Sequence, residues 1–147
     1  MVSSYVQAVI CRLLTRFVDG TYLFSVPSSV YWISSRYQIP ILTIVLNNRG
    51  WNAPRKSMEL VHPQGYGSKV DNRELNISFE PTPDYAGIAK AAAGGKIYAG
   101  RAGTAEALEK VLQEAVEAVK SGRSAVLDCH LNGSVGAFTG DEKSLVG

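Results

Sequence analysis

This sequence lacks the features that mark several classes of protein. Its two cysteines, Cys11 and Cys129, show neither a CxxC pair nor a Cys/His ligand spacing, so we expect reduced thiols in packed positions. No apolar run approaches the length of a membrane span. The net charge is only +2, and no basic cluster exceeds Arg55-Lys56, so neither a membrane nor a nucleic-acid partner is indicated.

The composition is that of an ordinary globular protein. With 147 residues, of which 46% are hydrophobic and 19% charged, the chain can form one soluble domain with a buried core. Residues 1–18 contain two arginines and no acidic residue, which is similar to a weak mitochondrial presequence. The same stretch also fits an ordinary apolar strand or helix, or a start unrelated to the rest. We expect an intracellular protein, with the cytoplasm and the mitochondrion both left open.

Strand and helix patterns alternate along the chain. Asp84 and Thr104 are suited to cap two helices, and Gly94-Gly95 and Gly122 to end them. A serine, or the residue before the Pro27-Ser28-Ser29 segment, is suited to cap another helix. The predicted helices are 27–38, 84–93 and 105–120, and the predicted strands are 41–46, 96–99 and 124–131. This order predicts an α/β fold with a three-layer arrangement and a mainly parallel sheet flanked by helices.

A long segment, residues 51–83, is rich in Asn, Pro, Gly and Ser and has few periodic apolar positions. We expect mostly loop there, with a short helix around 55–61, and long loops in compact domains are often functional. Its first residues, 51–56, would either border a substrate or form a surface loop with a solvated basic pair. We interpret Gly65–Lys69 as loop rather than a phosphate-binding motif, and His62 and His130 as structural or exposed rather than ligands.

Two short motifs suggest a shared cation site. Asp19-Gly20 and Asn47-Asn48 are separated by 26 residues, which is room for a helix and a return strand. The carboxyl ends of two parallel strands would then meet at one edge of the sheet. A carboxylate and a carboxamide there can share a hard cation such as Mg²⁺, which takes a few protein oxygens together with substrate phosphates.

The flanks of these motifs, VDGTYLF and TIVLNNRGW, resemble the cofactor motif of thiamine diphosphate (ThDP)-dependent enzymes. The likeness is to the acetolactate synthase, benzoylformate decarboxylase and pyruvate decarboxylase group, and it covers residues 18–131. Residues 36–40 and the downstream half of the chain resemble the same C-terminal ThDP-binding domain. On this basis we divide the chain into an atypical leader (1–17), the cofactor-binding domain (18–131) and a glycine-rich tail (132–147).

The resemblance implies a set of site residues. The side chains of Asp19 and Asn48 and the carbonyl of Gly50 would bind Mg²⁺, and Gly20 and Thr21 would offer backbone N–H groups to the diphosphate. These residues would anchor ThDP, whose thiazolium carries out the decarboxylation or carboligation of 2-oxo acids in lyases and transferases of this kind. The resemblance assigns no catalytic residue to this chain. It places the substrate-selecting residues mostly in other domains and in the segment 51–83 of this chain.

Two departures from the family pattern qualify this expectation. Val18 stands where the family has glycine before the aspartate, which could affect cofactor affinity. The upstream part of the domain and the pyrimidine-binding domain have no counterpart here. The chain therefore resembles a C-terminal fragment, which we expect to be inactive alone and to work in a homo-oligomer with a pyrimidine-binding domain of another subunit. The alternatives are a non-catalytic fragment that docks on full-length relatives, or a product without function.

Overall fold

The structure, a computed structural model, describes residues 15–18, 22 and 26–131. Most of the expected leader and the whole expected tail lie outside these residues. The three consecutive site residues Asp19, Gly20 and Thr21 lie outside them too.

A parallel sheet of four strands organises the described residues. The elements in chain order are β1 (Thr15–Val18), α1 (Pro27–Tyr37), β2 (Leu42–Asn47), α2 (Asn52–Val61), α3 (Tyr85–Ala92), β3 (Tyr98–Ala102), α4 (Ala105–Lys120) and β4 (Ala125–His130). The strand order is β1-β2-β4-β3, and every neighbouring pair is parallel. The predicted α/β class with a mainly parallel sheet is confirmed.

Helices cover the two faces of the sheet. Alternate residues of β2 and β4, such as Ile44 and Leu127, pack against α4 with Leu112, Ala115 and Val116. The intervening residues, such as Val45 and Val126, pack on the other face, where α1 and α3 supply the buried aromatic rings Tyr31 and Tyr85. Because both faces of β2 and β4 are covered, most positions of these strands are apolar, as the sequence indicated for residues 41–46. No helix of the described residues is long and apolar enough to cross a membrane.

Two of the predicted helix caps are present. The side chain of Asp84 accepts a hydrogen bond from Gly87 N–H at the start of α3, and Thr104 accepts one from Ala107 N–H at the start of α4. These bonds satisfy amide groups that have no partner within the first turn of a helix. For α1, the second of the two alternatives holds, since the residue before Pro27 is the cap. This residue, Val26, has a φ of 51° and makes no side-chain cap bond.

The third strand lies further along the chain than residues 96–99, where the sequence pattern placed it. Gly94 and Gly95 both have positive φ, and Lys96 N–H still bonds back to Ala93, so the turn after α3 extends to Lys96. The pairing with β4 starts only where Tyr98 N–H donates to the Ser124 carbonyl. The strand therefore runs from Tyr98 to Ala102, because the turn consumes the first two residues of the predicted range.

The segment after β2 is more ordered than the sequence suggested. The short helix expected around 55–61 is present as α2, but it starts at Asn52, so residues 52–56 belong to this helix rather than to a surface loop. Arg55 is not a solvated cation, since its guanidinium donates to Glu59 Oε1 at 2.8 Å, to the Val70 carbonyl at 3.0 Å and to Asn72 Oδ1 at 2.9 Å. Its side chain is only 11% exposed. Arg55 thus ties the loop around residues 70–72 to α2.

The core prediction is tested by a matched pair of leucines. Leu127 is fully buried at the centre of the sheet, whereas Leu60 on α2 is 73% exposed. Leu127→Ala removes packed methyl groups and leaves a cavity, so the free energy of unfolding should fall by about 2–5 kcal/mol. Leu60→Ala should change it by less than about 0.5 kcal/mol. Urea denaturation followed by circular dichroism measures both, and equal losses would contradict the described core.

A second prediction concerns the thiol of Cys129, which packs in the core against α4. Burial, together with the charge of Asp128, raises the pKa of this thiol to about 11. In a Cys11→Ser background at pH 8, the thiolate fraction should be about a hundredfold lower than in the unfolded chain. Iodoacetamide should therefore label the folded protein at least that much more slowly than the protein in urea. Equal labelling rates in the two states would show that Cys129 is not buried in this way.

Candidate functional site

The carboxyl ends of β1 and β2 lie side by side at one edge of the sheet. The two strands are parallel neighbours, and Val18 at the end of β1 pairs with Val45, three residues before Asn48. Asp19, the next residue after Val18, lies outside the described residues, so its distance to Asn48 stays a prediction. The described part of the chain does place Asn48 and Gly50 immediately after β2.

The turn after β2 is built from side-chain and backbone hydrogen bonds. Asn48 Oδ1 accepts a long hydrogen bond, of 3.4 Å, from Gly50 N–H, and the Asn48 carbonyl accepts one of 3.1 Å from Asn52 Nδ2 at the start of α2. Asn48 is partly exposed, unlike Asn47, which is almost fully buried. Asn48 is thus partly exposed, and the only hydrogen bond described for its side-chain oxygen is a long one, which suits a ligand that a metal ion could recruit.

Gly50 forms an isolated antiparallel bridge with Ser78. The hydrogen bonds run between the flanking residues, from Trp51 N–H to the Ile77 carbonyl and from Phe79 N–H to the Arg49 carbonyl, both at 2.9 Å. In this pattern the N–H and carbonyl of Gly50 itself face away from Ser78. A Cβ atom at Gly50 would lie 2.6 Å from the Ile77 oxygen, so only glycine fits this close approach.

Asn47 connects the turn to Asp128, a buried residue that the sequence analysis missed. Its Nδ2 donates to Asp128 Oδ1 at 2.9 Å, and its Oδ1 accepts from Arg49 N–H at 3.3 Å. Asp128 lies on β4 and is fully buried. A signal was present in the sequence: an acidic residue inside an otherwise apolar strand is rarely buried without partners.

The other oxygen of Asp128 has two basic neighbours. Arg101 Nε on β3 lies 3.4 Å from Asp128 Oδ2, and His130 Nε2 lies 3.2 Å from it. Arg101 also reaches the capping residue Asp84, at 3.4 Å. His130 was expected to be packed or exposed, and it is half-buried with its ring on the Asp128 carboxylate. These residues form a polar cluster on the α1/α3 face, next to the turn.

The remaining candidates have structural roles or lie on the surface. His62 is exposed and follows the last residue of α2, where its N–H bonds to the Met58 carbonyl. Residues 66–68 form one 3₁₀ turn within the loop, which agrees with the interpretation of Gly65–Lys69 as loop. Trp51 packs edge-on against Phe79, with ring centroids 5.2 Å apart, and so helps hold the 77–79 segment against the turn.

The oxygens of Asn48 and Gly50, which the structure describes at this edge, are of a type that hard divalent ions accept. Among the described residues there is no group of three or more His, Cys, Asp or Glu side chains that could hold a metal. A cation here would therefore depend on the oxygens of Asn48 and Gly50 together with Asp19. Uncharged oxygens with one carboxylate, completed by phosphate oxygens, are the ligand type that Mg²⁺ accepts beside a nucleotide-like diphosphate.

Comparisons with known proteins agree with this fold. The chain is similar in fold to a thiamine diphosphate-dependent 4-hydroxybenzoylformate decarboxylase of Rhodococcus jostii RHA1, with a TM-score of 0.62 and 16% sequence identity. The likeness covers 83% of this chain but only 20% of that enzyme, so the chain spans about a fifth of the enzyme's length. A sequence comparison with curated proteins gives no significant match.

A family model gives the assignment. Residues 18–129 match the model described as thiamine pyrophosphate enzyme, C-terminal TPP binding domain, where thiamine pyrophosphate (TPP) is another name for ThDP. The match spans most of the chain, from the end of β1 through the penultimate residue of β4, and includes both motif halves. The chain therefore belongs to the C-terminal TPP-binding domain family of thiamine pyrophosphate enzymes.

Proposed function

We propose that this chain anchors the diphosphate of ThDP through a Mg²⁺ ion at the carboxyl edge of its sheet. The side chains of Asp19 and Asn48 and the carbonyl of Gly50 are the proposed metal ligands. The backbone N–H groups of Gly20 and Thr21 are the proposed diphosphate donors. We further propose that the parent activity is acetolactate synthase-like, a lyase or transferase reaction on a 2-oxo acid.

The observation that carries this proposal is the parallel pairing of β1 with β2. It brings the carboxyl end of β1, which Asp19 follows, next to the turn that holds Asn48 and Gly50. Asn48 is partly exposed, and its side-chain oxygen makes one long hydrogen bond, while the bridge of Gly50 leaves its carbonyl facing away from Ser78. Asn48 and Gly50, the two proposed ligands that the structure describes, therefore lie in one short turn.

The role of these residues is charge neutralisation and positioning. A diphosphate is strongly anionic, and the described turn contributes only neutral oxygens, so the cation would link the protein to the phosphates. Asp19 would supply the one negatively charged ligand, and this charge would attract a divalent cation to the site. The bound ThDP would supply the carbanion chemistry, and the residues of this chain would hold it in place.

We also propose that turnover requires a pyrimidine-binding domain, which another subunit of a complete, homo-oligomeric enzyme would supply. The length of the chain supports this proposal, since the chain covers only 20% of the similar decarboxylase. The purified chain should therefore show no detectable turnover with ThDP, Mg²⁺ and pyruvate or benzoylformate. Clear product formation by this chain alone, measured by chromatography, would refute that part of the proposal.

The cofactor site itself is tested with Asn48→Ala. Removing the carboxamide deletes one proposed metal ligand. The affinity for Mg²⁺ and ThDP added together, measured by calorimetry, should therefore fall by at least about tenfold. A loss of this size is typical even for residues that only support a metal ligand. Gln113→Ala is the matched control, because Gln113 carries a carboxamide on the exposed side of α4. Its affinity should equal that of the wild type.

Two results would count against the site. The wild-type chain could release no heat on addition of Mg²⁺ and ThDP, or Asn48→Ala could bind as tightly as Gln113→Ala. Thermal melts of both variants check that each remains folded during the titration. A loss of binding that appears only in Asn48→Ala would support the ligand role of this residue.

A further inference from the structure

The starting observation is a carboxylate buried in the middle of the sheet. Asp128 has no exposed surface, and it lies on β4 between β2 and β3. Its Oδ1 accepts from Asn47 Nδ2 at 2.9 Å, while Oδ2 lies 3.4 Å from Arg101 Nε and 3.2 Å from His130 Nε2. Burying a carboxylate is costly, and both of its oxygens are engaged here, which reduces that cost.

The chemistry of a carboxylate determines how the Asn47 amide is oriented. An ionised carboxylate can only accept hydrogen bonds, so the group that Asn47 presents to Asp128 must be its NH₂. The carboxamide oxygen then points the other way, toward Arg49 N–H at 3.3 Å. The opposite orientation would place two acceptors against each other and would also face Arg49 N–H with a donor.

The Asn47 oxygen meets a backbone that is held in an unusual conformation. Arg49 has a φ of 62°, in the left-handed region that non-glycine residues seldom adopt. Its N–H bonds to Asn47, and its carbonyl accepts from Phe79 N–H at 2.9 Å. Arg49 lies between Asn48 and Gly50, so the same bonds set the direction of both residues.

We infer that Asp128 is a positioning residue, which acts through Asn47 to hold the Asn48–Gly50 turn in the conformation that binds the metal. Arg101 and His130 lie against the Asp128 carboxylate and offset the cost of burying its charge inside the sheet. The chain of contacts runs from Asp128 through the Asn47 amide to the Arg49 backbone. The effect on cofactor affinity rests on the proposed function, whereas the effect on the turn does not.

The test compares Asp128→Asn with a control at Thr43. The variant Asp128→Asn keeps the size of the side chain but lets it donate, so the Asn47 orientation is no longer enforced. Thr43→Val removes another buried hydrogen bond from the same face of β2, the one that Tyr31 donates at 2.6 Å, and it lies four residues before Asn47. Both variants disturb buried polar contacts, and Asp128→Asn also removes the charge that faces Arg101 and His130, but only the contact of Asp128 with Asn47 leads to the turn.

Amide hydrogen exchange measures the stability of the turn in the absence of any ligand. In Asp128→Asn, exchange at Arg49 and Trp51 should be about tenfold faster relative to Val116 in α4, because a hydrogen bond to a charged group is lost beneath the turn. In Thr43→Val this ratio should stay at its wild-type value. An unchanged ratio in Asp128→Asn, or an equal change in the two variants, would overturn the inference.

Calorimetry with Mg²⁺ and ThDP supplies the second readout. Affinity should fall about tenfold or more in Asp128→Asn, within the range for residues that support metal ligands, and should be retained in Thr43→Val. If the wild type binds and Asp128→Asn binds equally well, the role in cofactor binding is wrong. If the wild type does not bind, the proposed function fails, and the exchange ratio still decides whether Asp128 positions the turn.

A second variant covers the case in which Asp128→Asn does not fold. Asn47→Ala leaves the contacts of Asp128 with Arg101 and His130 in place and removes both bonds of the link, the one to Asp128 and the one to Arg49. It should speed exchange at Arg49 and Trp51 relative to Val116 in the same way as Asp128→Asn. Wild-type exchange at these amides in a folded Asn47→Ala variant would overturn the inference.

Discussion

The pairing of β2 with β4 is the constraint on which the rest of the structure depends. These two strands form the centre of the sheet, and helices cover both of their faces. Their register sets Asn47 opposite His130 and Val45 opposite Asp128, so the polar ends of two apolar strands coincide at one edge. A shift of β4 by one residue would turn Asp128 and His130 to the other face of the sheet, away from Asn47.

From this register the arrangement of the proposed site follows by short steps. The apolar parts of the strands stabilise the fold, while their last residues are polar and face the carboxyl edge. Asn47 is turned inward to Asp128, and the next residue, Asn48, is left accessible. The neighbouring asparagines therefore have different tasks, since one secures the turn and the other offers an oxygen to a ligand. Gly50 completes the turn because its missing side chain allows the Ile77 backbone to approach.

Much of the fold was predictable from the sequence because local patterns and tertiary structure agree. The capped helix after Thr104 and the apolar run of residues 41–46 each have one favoured conformation. The prediction failed where distant contacts decide the structure, as with Arg55, whose partners Val70 and Asn72 lie far along the chain. Asp128 was missed for the same reason, since no local pattern shows that an aspartate on the last strand will bond to Asn47. Asn48 and Gly50 lie at the predicted edge, while the position of Asp19 remains a prediction.

The most direct test of the central claim is paramagnetic NMR with Mn²⁺ in place of Mg²⁺, in the presence of ThDP. If the ion lies between the strand ends, resonances of Asp19, the Asn48 side-chain amide and Gly50 should broaden first. Signals from the far end of the sheet, such as Ala125, should persist at the same Mn²⁺ concentration. Broadening that spares Asn48 and Gly50, or that centres on another part of the chain, would contradict the proposed cation site.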